Sequence, residues 1–221
     1  MKAKKCAYLD LREAADRETM QRLAMQADVF TNSYRPGVNT RFGLLPAELA
    51  AASERGLVCM DINAFGHSGP WTERPGFDQN AQVATGFAAK EGKPGKPRFS
   101  PVFYLGDLMA GYFAAAGMMA ALLRRSIEGG SYHVKISLAR SVMSVQELGF
   151  LETVAHASLP EKDSYPTKMA SIDSVYGKLS FLAPPLVFTN LALPDEWSLT
   201  PDGADAPEWR DSTKNALAQS Q

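Results

Sequence analysis

The sequence is poor in cysteine: 221 residues contain only Cys6 and Cys59. Both sit in apolar, strand-like contexts, CAYLDL and LVCMDIN, without the spacing of a metal site or the density of a disulfide framework, so a reducing, cytoplasmic setting is expected. Charge of one sign is also lacking. Lys plus Arg number 23 against 24 Asp plus Glu, a formal net charge of −1, which denies the chain the concentrated basic surface of a general nucleic-acid binder. The longest apolar run, Leu108 to Leu123, is about sixteen residues, short of the roughly twenty that cross a bilayer, and predicts a buried helix. Lys2, Lys4 and Lys5 imitate the start of a signal peptide, but Asp10, Arg12 and Glu13 interrupt any apolar segment behind them; no targeting signal and no membrane partner is expected. Histidines number three, and His133 and His156 have no partners at ligand spacing, so no metal is expected. GxSxG, GxxxxGK[ST] and a GxGxxG after the first strand are all missing, which disfavours a serine-hydrolase elbow, ATP and NAD.

What remains is 45% hydrophobic and 21% charged, enough to fill a substantial core. Cys6–Leu11 is a short apolar run suited to a strand. Arg17–Ala27 places Met20, Leu23, Ala24 and Ala27 on one helical face behind a candidate N-cap, Asp16. Asp28–Thr31 is extended again, and Ser33-Tyr34-Arg35-Pro36-Gly37 reads as a loop. Pro46 and Gly56 bracket a second helix, and Leu57–Asn63 supplies a third strand. Strands alternating with helices predict a parallel sheet, in which ligands gather in the loops beyond the strands' carboxyl ends. Two loops qualify: the one around Arg35, and AFGHSGPWTERPG from Ala64 to Gly76, too long for a minimal turn. Phe77–Ala89 is expected to be helical, as is Leu108–Arg125, apolar on nearly all sides. His133–Ser137 reads as a strand, Ser141–His156 as a helix, and LSFLAPPLVF as an extended island; the last dozen residues are expected to fray.

Among candidate chemical groups, Asp107 follows a glycine at the start of the long helix. Two readings fit that position. Asp is a favoured N-cap, and a helix N-terminus keeps a carboxylate ionised and nucleophilic. His67, between Gly66 and Ser68, can reach a ligand from its loop or simply be solvated. Arg35, Arg41, Lys93, Lys96 and Arg98 are candidates for a polyanionic ligand, with Lys93 and Lys96 better read as solvated charge. Tyr34 offers a stacking face beside the phosphate-seeking Arg35.

The collinear segments YLDL, DVFTNSYRPGVNTRFGL, AFGHSGPWTERPGFDQNAQVATG, GDLMAGYFAAAGMMAALLRR and EGGSYHVKISL, over roughly residues 5 to 145, resemble the family III CoA-transferases, the CaiB/BaiF group. The resemblance implies an α/β fold, a parallel sheet flanked by helices as in that family's Rossmann-like large domain, shortened and without most of its small domain. It implies residues 1–158 as the α/β domain, 159–210 as an extended return segment and 211–221 as a disordered tail. By resemblance Asp107 is the covalent nucleophile, exchanging thioester for anhydride while coenzyme A passes as substrate from an acyl-CoA to a carboxylic acid; no permanently bound cofactor is implied. Ser33, Tyr34, Arg35, Arg41 and Phe42 match the CoA-binding segment, with Ser33 in place of the usual asparagine. Phe65, Gly66, His67, Asp78 and Gly106 match active-site loop positions, His67 as loop structure near the acyl site rather than as a base. Related racemases pair the aspartate with the histidine of a GHD motif, for which this chain has Gly76-Phe77-Asp78. That favours transfer over racemisation. A homodimer, or association with a homologous subunit, is the implied assembly, without the family's interlocked topology.

Overall fold

In the computed structural model the described residues are 4–35, 37–102, 104–150, 168–183 and 199–209. The chain divides into two units, one of Arg17–Thr153 and one of Met1–Asp16 with Val154–Gln221.

The larger unit is an α/β layer structure. Its strands β1 (Val29–Asn32), β2 (Val58–Asn63) and β3 (Tyr132–Ser137) form a parallel sheet in that order. The register is level at the carboxyl edge, where Asn32 faces Asp61 and Asn63 faces Ser137. Helices α1 (Ala14–Gln26), α2 (Pro46–Ala52), α3 (Asp78–Ala84), α4 (Phe87–Glu91), α5 (Leu105–Glu128) and α6 (Leu138–Gln146) accompany it. β2 is buried over Val58–Met60, as its unbroken apolar run requires of a central parallel strand. α2 starts at Pro46, whose missing N–H costs nothing there, and the Leu45 N–H donates to Glu48 Oε2 at 3.3 Å. Ala64, Ala81, Phe87, Leu105, Ala110, Leu138 and Val142 pack into a core joining α3, α4, α5 and α6. Gly117 of α5 lies so close to β3 that a Cβ there would meet Val134 Cγ1 at 2.9 Å.

Several expectations are corrected. The predicted helix Phe77–Ala89 is two helices, because Gly86 at φ 76° breaks it and caps α4. α6 stops at Gln146, and Gly149 at φ 93° turns the chain, well short of the expected end at His156, which lies outside the described residues. α5 begins earlier and ends later than its apolar run. It is 24 residues long and, at mean hydropathy 1.4 over its most apolar window, long and apolar enough by composition to cross a bilayer, but one face packs on the sheet. Asp16 does not cap α1; it lies within that helix, and its carboxylate accepts the Asp10 N–H at 2.7 Å.

In the other unit the expected strand Cys6–Leu11 is reduced to one antiparallel bridge, Ala7 with Ala204. Asp205 fixes this point: its Oδ2 accepts the Cys6 N–H at 2.7 Å and the Thr200 hydroxyl at 2.9 Å. The residues assigned by sequence to the start of the α/β domain therefore pair with the far end of the chain. β4 (Met169–Ser174) and β5 (Gly177–Leu182) form an antiparallel hairpin. β5 is the start of the expected LSFLAPPLVF island; its remainder, and the tail 211–221, lie outside the described residues.

Candidate active site

The carboxyl edge of the sheet is organised by side chains that tie strand ends to loops. Asn32 donates through Nδ2 to Asp61 Oδ1 at 2.9 Å, while its Oδ1 accepts the Tyr34 N–H at 2.9 Å. Ser33, Tyr34 and Arg35 are thereby projected beyond β1. Asn63 closes the next loop from both ends, donating to the Gly66 carbonyl at 2.8 Å and accepting the Gly66 N–H at 2.7 Å. Further along, Phe65 meets Trp71 edge-on with centroids 5.3 Å apart, and the Arg74 guanidinium lies 5.1 Å from the Trp71 ring centroid.

α5 brings Asp107 to this edge. Its N-cap is Tyr104 at φ 56°, a left-handed conformation uncommon outside glycine. The cap acceptor comes from elsewhere in the chain: buried Asp78, first residue of α3, accepts the Gly106 N–H through Oδ1 and the Gln82 amide through Oδ2, both at 2.5 Å. Gln82 in turn accepts the Ser100 N–H at 2.8 Å. Because Asp78 performs the capping, Asp107 is released from it. Among the described residues Asp107 has no hydrogen bond or ion pair, and it is exposed. Burial of part of the carboxyl raises its pKa above the ordinary value, and negative Asp78 adds to the rise. This rise opposes the helix terminus, which favours the ionised form.

Asp107 opens into a cleft of about 310 Å³ that it shares with Ser33, Tyr34, Arg35, Arg74 and Phe77. A second cleft of about 250 Å³ adjoins it, sharing Tyr34, Arg35, Ile62 and Asn63, and adds His67, His133 and Lys135. In it His133 Nε2 lies 2.7 Å from Asp61 Oδ2. The structure thus joins Asp107 with Ser33, Tyr34 and Arg35. It does not bring Arg41 or Phe42 there: they form the end of a 3₁₀ turn, Asn39–Phe42, with Arg41 exposed and the Phe42 carbonyl accepting from Gln21 at 3.4 Å. His67 Nε2 lies 2.9 Å from the Ile136 carbonyl oxygen, and the residue lines the second cleft rather than Asp107's. Phe65 and Gly66 shape the loop, while Asp78 and Gly106 set the start of α5. Arg74 escaped sequence reasoning, although its place between Trp71 and a Pro-Gly turn was visible. Cys59 is no rival nucleophile, since burial and Asp61 push its thiol up to about 11. Among the described residues no cluster suits a metal ion.

The sequence profile of CoA-transferase family III matches residues 1–192. An acyl-CoA transferase of Gibberella moniliformis is 34% identical over 176 residues, covering 76% of this chain and 31% of that protein. A succinyl-CoA–D-citramalate CoA-transferase of Chloroflexus aurantiacus is 31% identical over 144 residues, 65% of this chain and 36% of that one. A crystal structure of the Rv3272 protein of Mycobacterium tuberculosis superposes with a TM-score of 0.62 at 31% identity, over 66% of this chain and 42% of its own. The chain therefore spans about a third of the length of these curated relatives.

Proposed function

Because this chain belongs to CoA-transferase family III, we propose that it moves CoA between an acyl-CoA thioester and a carboxylic acid, with Asp107 as the covalent carrier. The observation that carries this reading is an unpaired aspartate, freed from capping by Asp78, in one cleft with Tyr34, Arg35 and Arg74. CoA is polyanionic at its nucleotide end. Arg35, Arg74 and Lys135 supply the local positive charge along the two adjoining clefts, and exposed Tyr34 supplies a face on which an adenine stacks.

The Asp107 carboxylate attacks the thioester carbonyl and expels the CoA thiolate, leaving a mixed anhydride. The thiolate attacks the aspartyl carbonyl, releasing the first acid and storing CoA as an enzyme thioester. The acceptor carboxylate attacks that thioester to form a second anhydride, from which the thiolate takes the acyl group and restores Asp107. Each step exchanges one carboxylate or thiolate for another, so no proton transfer is required. The positive end of α5 favours the oxyanion that forms at each stage. Isomerisation at the α-carbon needs a second base, and His67 lies in the other cleft against a backbone carbonyl.

Incubation with acetyl-CoA is expected to leave a CoA adduct on Asp107 by intact mass, removed by hydroxylamine and missing from Asp107→Asn. Absence of the adduct in protein shown to bind CoA, or its persistence in Asp107→Asn, overturns the assignment. Similarity, at 27% identity, to the alpha subunit of a succinyl-CoA–L-malate CoA-transferase of Chloroflexus aurantiacus supports a second reading, in which another subunit completes the acceptor site. The adduct then still forms, but turnover appears only when a full-length homologue is added.

A further inference from the structure

Two asparagines end strands at the site, and they are held in different ways. Asn63 uses both ends of its amide on one residue of its own loop, donating to the Gly66 carbonyl at 2.8 Å and accepting the Gly66 N–H at 2.7 Å. Asn32 accepts the Tyr34 N–H at 2.9 Å through Oδ1, but its Nδ2 leaves the loop and donates to Asp61 Oδ1 on β2, also at 2.9 Å. That second partner decides which way the amide points. An ionised carboxylate only accepts, so Asp61 holds the NH2 end and leaves the amide oxygen for Tyr34. A flipped amide would set oxygen against carboxylate and N–H against N–H.

The carboxylate is itself fixed. Asp61 stands opposite Asn32 in the parallel register and shares its sheet face with His133 and Lys135 of β3. His133 donates from Nε2 to Asp61 Oδ2 at 2.7 Å, so each carboxylate oxygen has its own donor. The Asp61 side chain is only 19% exposed, which strengthens both bonds relative to the same bonds in water. Asn32, Asp61, His133 and Tyr34 all fall within Arg17–Thr153. We propose that Asp61 is a positioning residue for CoA recognition: it orients the Asn32 amide across the sheet, and through it the backbone that presents Tyr34 and Arg35. This rests on the reading of Tyr34 and Arg35 as CoA contacts. An exposed aromatic that is ordered before the ligand arrives spares binding the cost of ordering it. Charge alone argues for the opposite effect of Asp61. It lines the cleft of Arg35 and Lys135, where a negative group repels a polyanion, so a bystander carboxylate there would weaken CoA binding and its removal would tighten it.

The full chain is tested by two measurements, the water-exchange rate of the Tyr34 amide by NMR without ligand and the CoA dissociation constant by calorimetry. Asp61→Leu keeps much of the bulk but has no acceptor. It is expected to speed exchange at Tyr34 and to weaken CoA binding roughly tenfold, the order of one lost hydrogen bond to a charged group. Asp61→Asn keeps an oxygen for Asn32 and removes the charge, so Tyr34 is expected to stay protected and CoA to bind at least as tightly as to the wild type. Asn32→Ala is expected to match Asp61→Leu, and the double variant to be no worse than either, because the two residues act through one bond. If Asp61→Leu does not fold, as judged by far-UV circular dichroism, Asn32→Ala against Asp61→Asn carries the same contrast. Tighter CoA binding by Asp61→Leu, a Tyr34 amide indifferent to the loss of either partner, or additive losses in the double variant overturns the proposal. A Tyr34 amide that responds as expected in a chain of which no form binds CoA supports the orienting role of Asp61 and overturns the CoA-transferase reading instead.

Discussion

Asp107 stands in the first turn of a 24-residue helix with no ion-pair partner among the described residues, and that isolation has a cost in stability. Its pKa is raised by burial first and by Asp78 second, so the folded state holds the proton to higher pH than the unfolded chain does. Stability from this group is therefore full below the ordinary value of 3.8 and declines as pH rises through the folded pKa. Asp107→Asn is expected to melt above the wild type at neutral pH, the difference vanishing below pH 3.8, while losing all adduct formation. A thermal-melt series against pH checks it. Asp78 has the opposite character. Truncation to Ala strands two buried donors, the Gly106 N–H and the Gln82 amide, at about 1–3 kcal/mol each, and chemical denaturation is expected to show a total loss of about 2–6 kcal/mol. Asp78→Asn retains an acceptor for Gly106 and removes the negative neighbour; the midpoint of adduct formation against pH is expected to move down. An unmoved midpoint excludes Asp78 as a tuner of Asp107.

The start of α5 is an element-scale device, since α3 supplies the cap that α5 lacks. Gly106 makes the approach possible: a Cβ there would sit 2.6 Å from Asp78 Oδ1 and 3.1 Å from Val142 Cγ2. Gly106→Ala is expected to cost about 1–3 kcal/mol through overpacking and to abolish the adduct by displacing Asp78. Gly111, one turn further on, has open space at its Cβ position, and Gly111→Ala is expected to stabilise the protein by about 0.5–1 kcal/mol. Equal responses at the two glycines in denaturant titrations would falsify the role given to the α3–α5 contact. The strands DVFTN, LVCMDIN and HVKIS were legible because each is a short apolar run between turn signals, and α2 because Pro46 and Gly56 mark its ends. CAYLDL has the same local pattern, but pairing is decided by Asp205, 199 residues away from Cys6. For the same reason Asp107 was ambiguous: its position is compatible with capping, and only the bond from Gly106 to an aspartate 28 residues earlier assigns the capping to Asp78. Arg41 and Phe42 end a 3₁₀ turn closed by Gly43, at φ 66°, and do not line Asp107's cleft.

At the scale of the whole molecule, a net charge of −1 gives no long-range attraction for a polyanion such as CoA. Binding must rest on local contacts, and every residue lining the two clefts falls within Arg17–Thr153. The β4–β5 hairpin belongs to the other unit and presents strands with alternating half-buried and exposed residues. A ligand that engages only the folded form of one unit raises the free energy of the openings that expose its site. Saturating CoA is therefore expected to slow amide hydrogen exchange around Tyr34–Arg35, at Ile62–Ala64, from Arg74 through the start of α3, and over the first turn of α5. Met169–Leu182 is expected to exchange at its ligand-free rate. Protection that reaches the hairpin would assign part of the CoA site to the smaller unit and enlarge the site beyond the sheet edge. Protection missing from the first turn of α5 while Tyr34–Arg35 is slowed would leave the nucleotide bound and the thioester away from Asp107, the outcome expected of a binding subunit that relies on another chain for the acyl transfer.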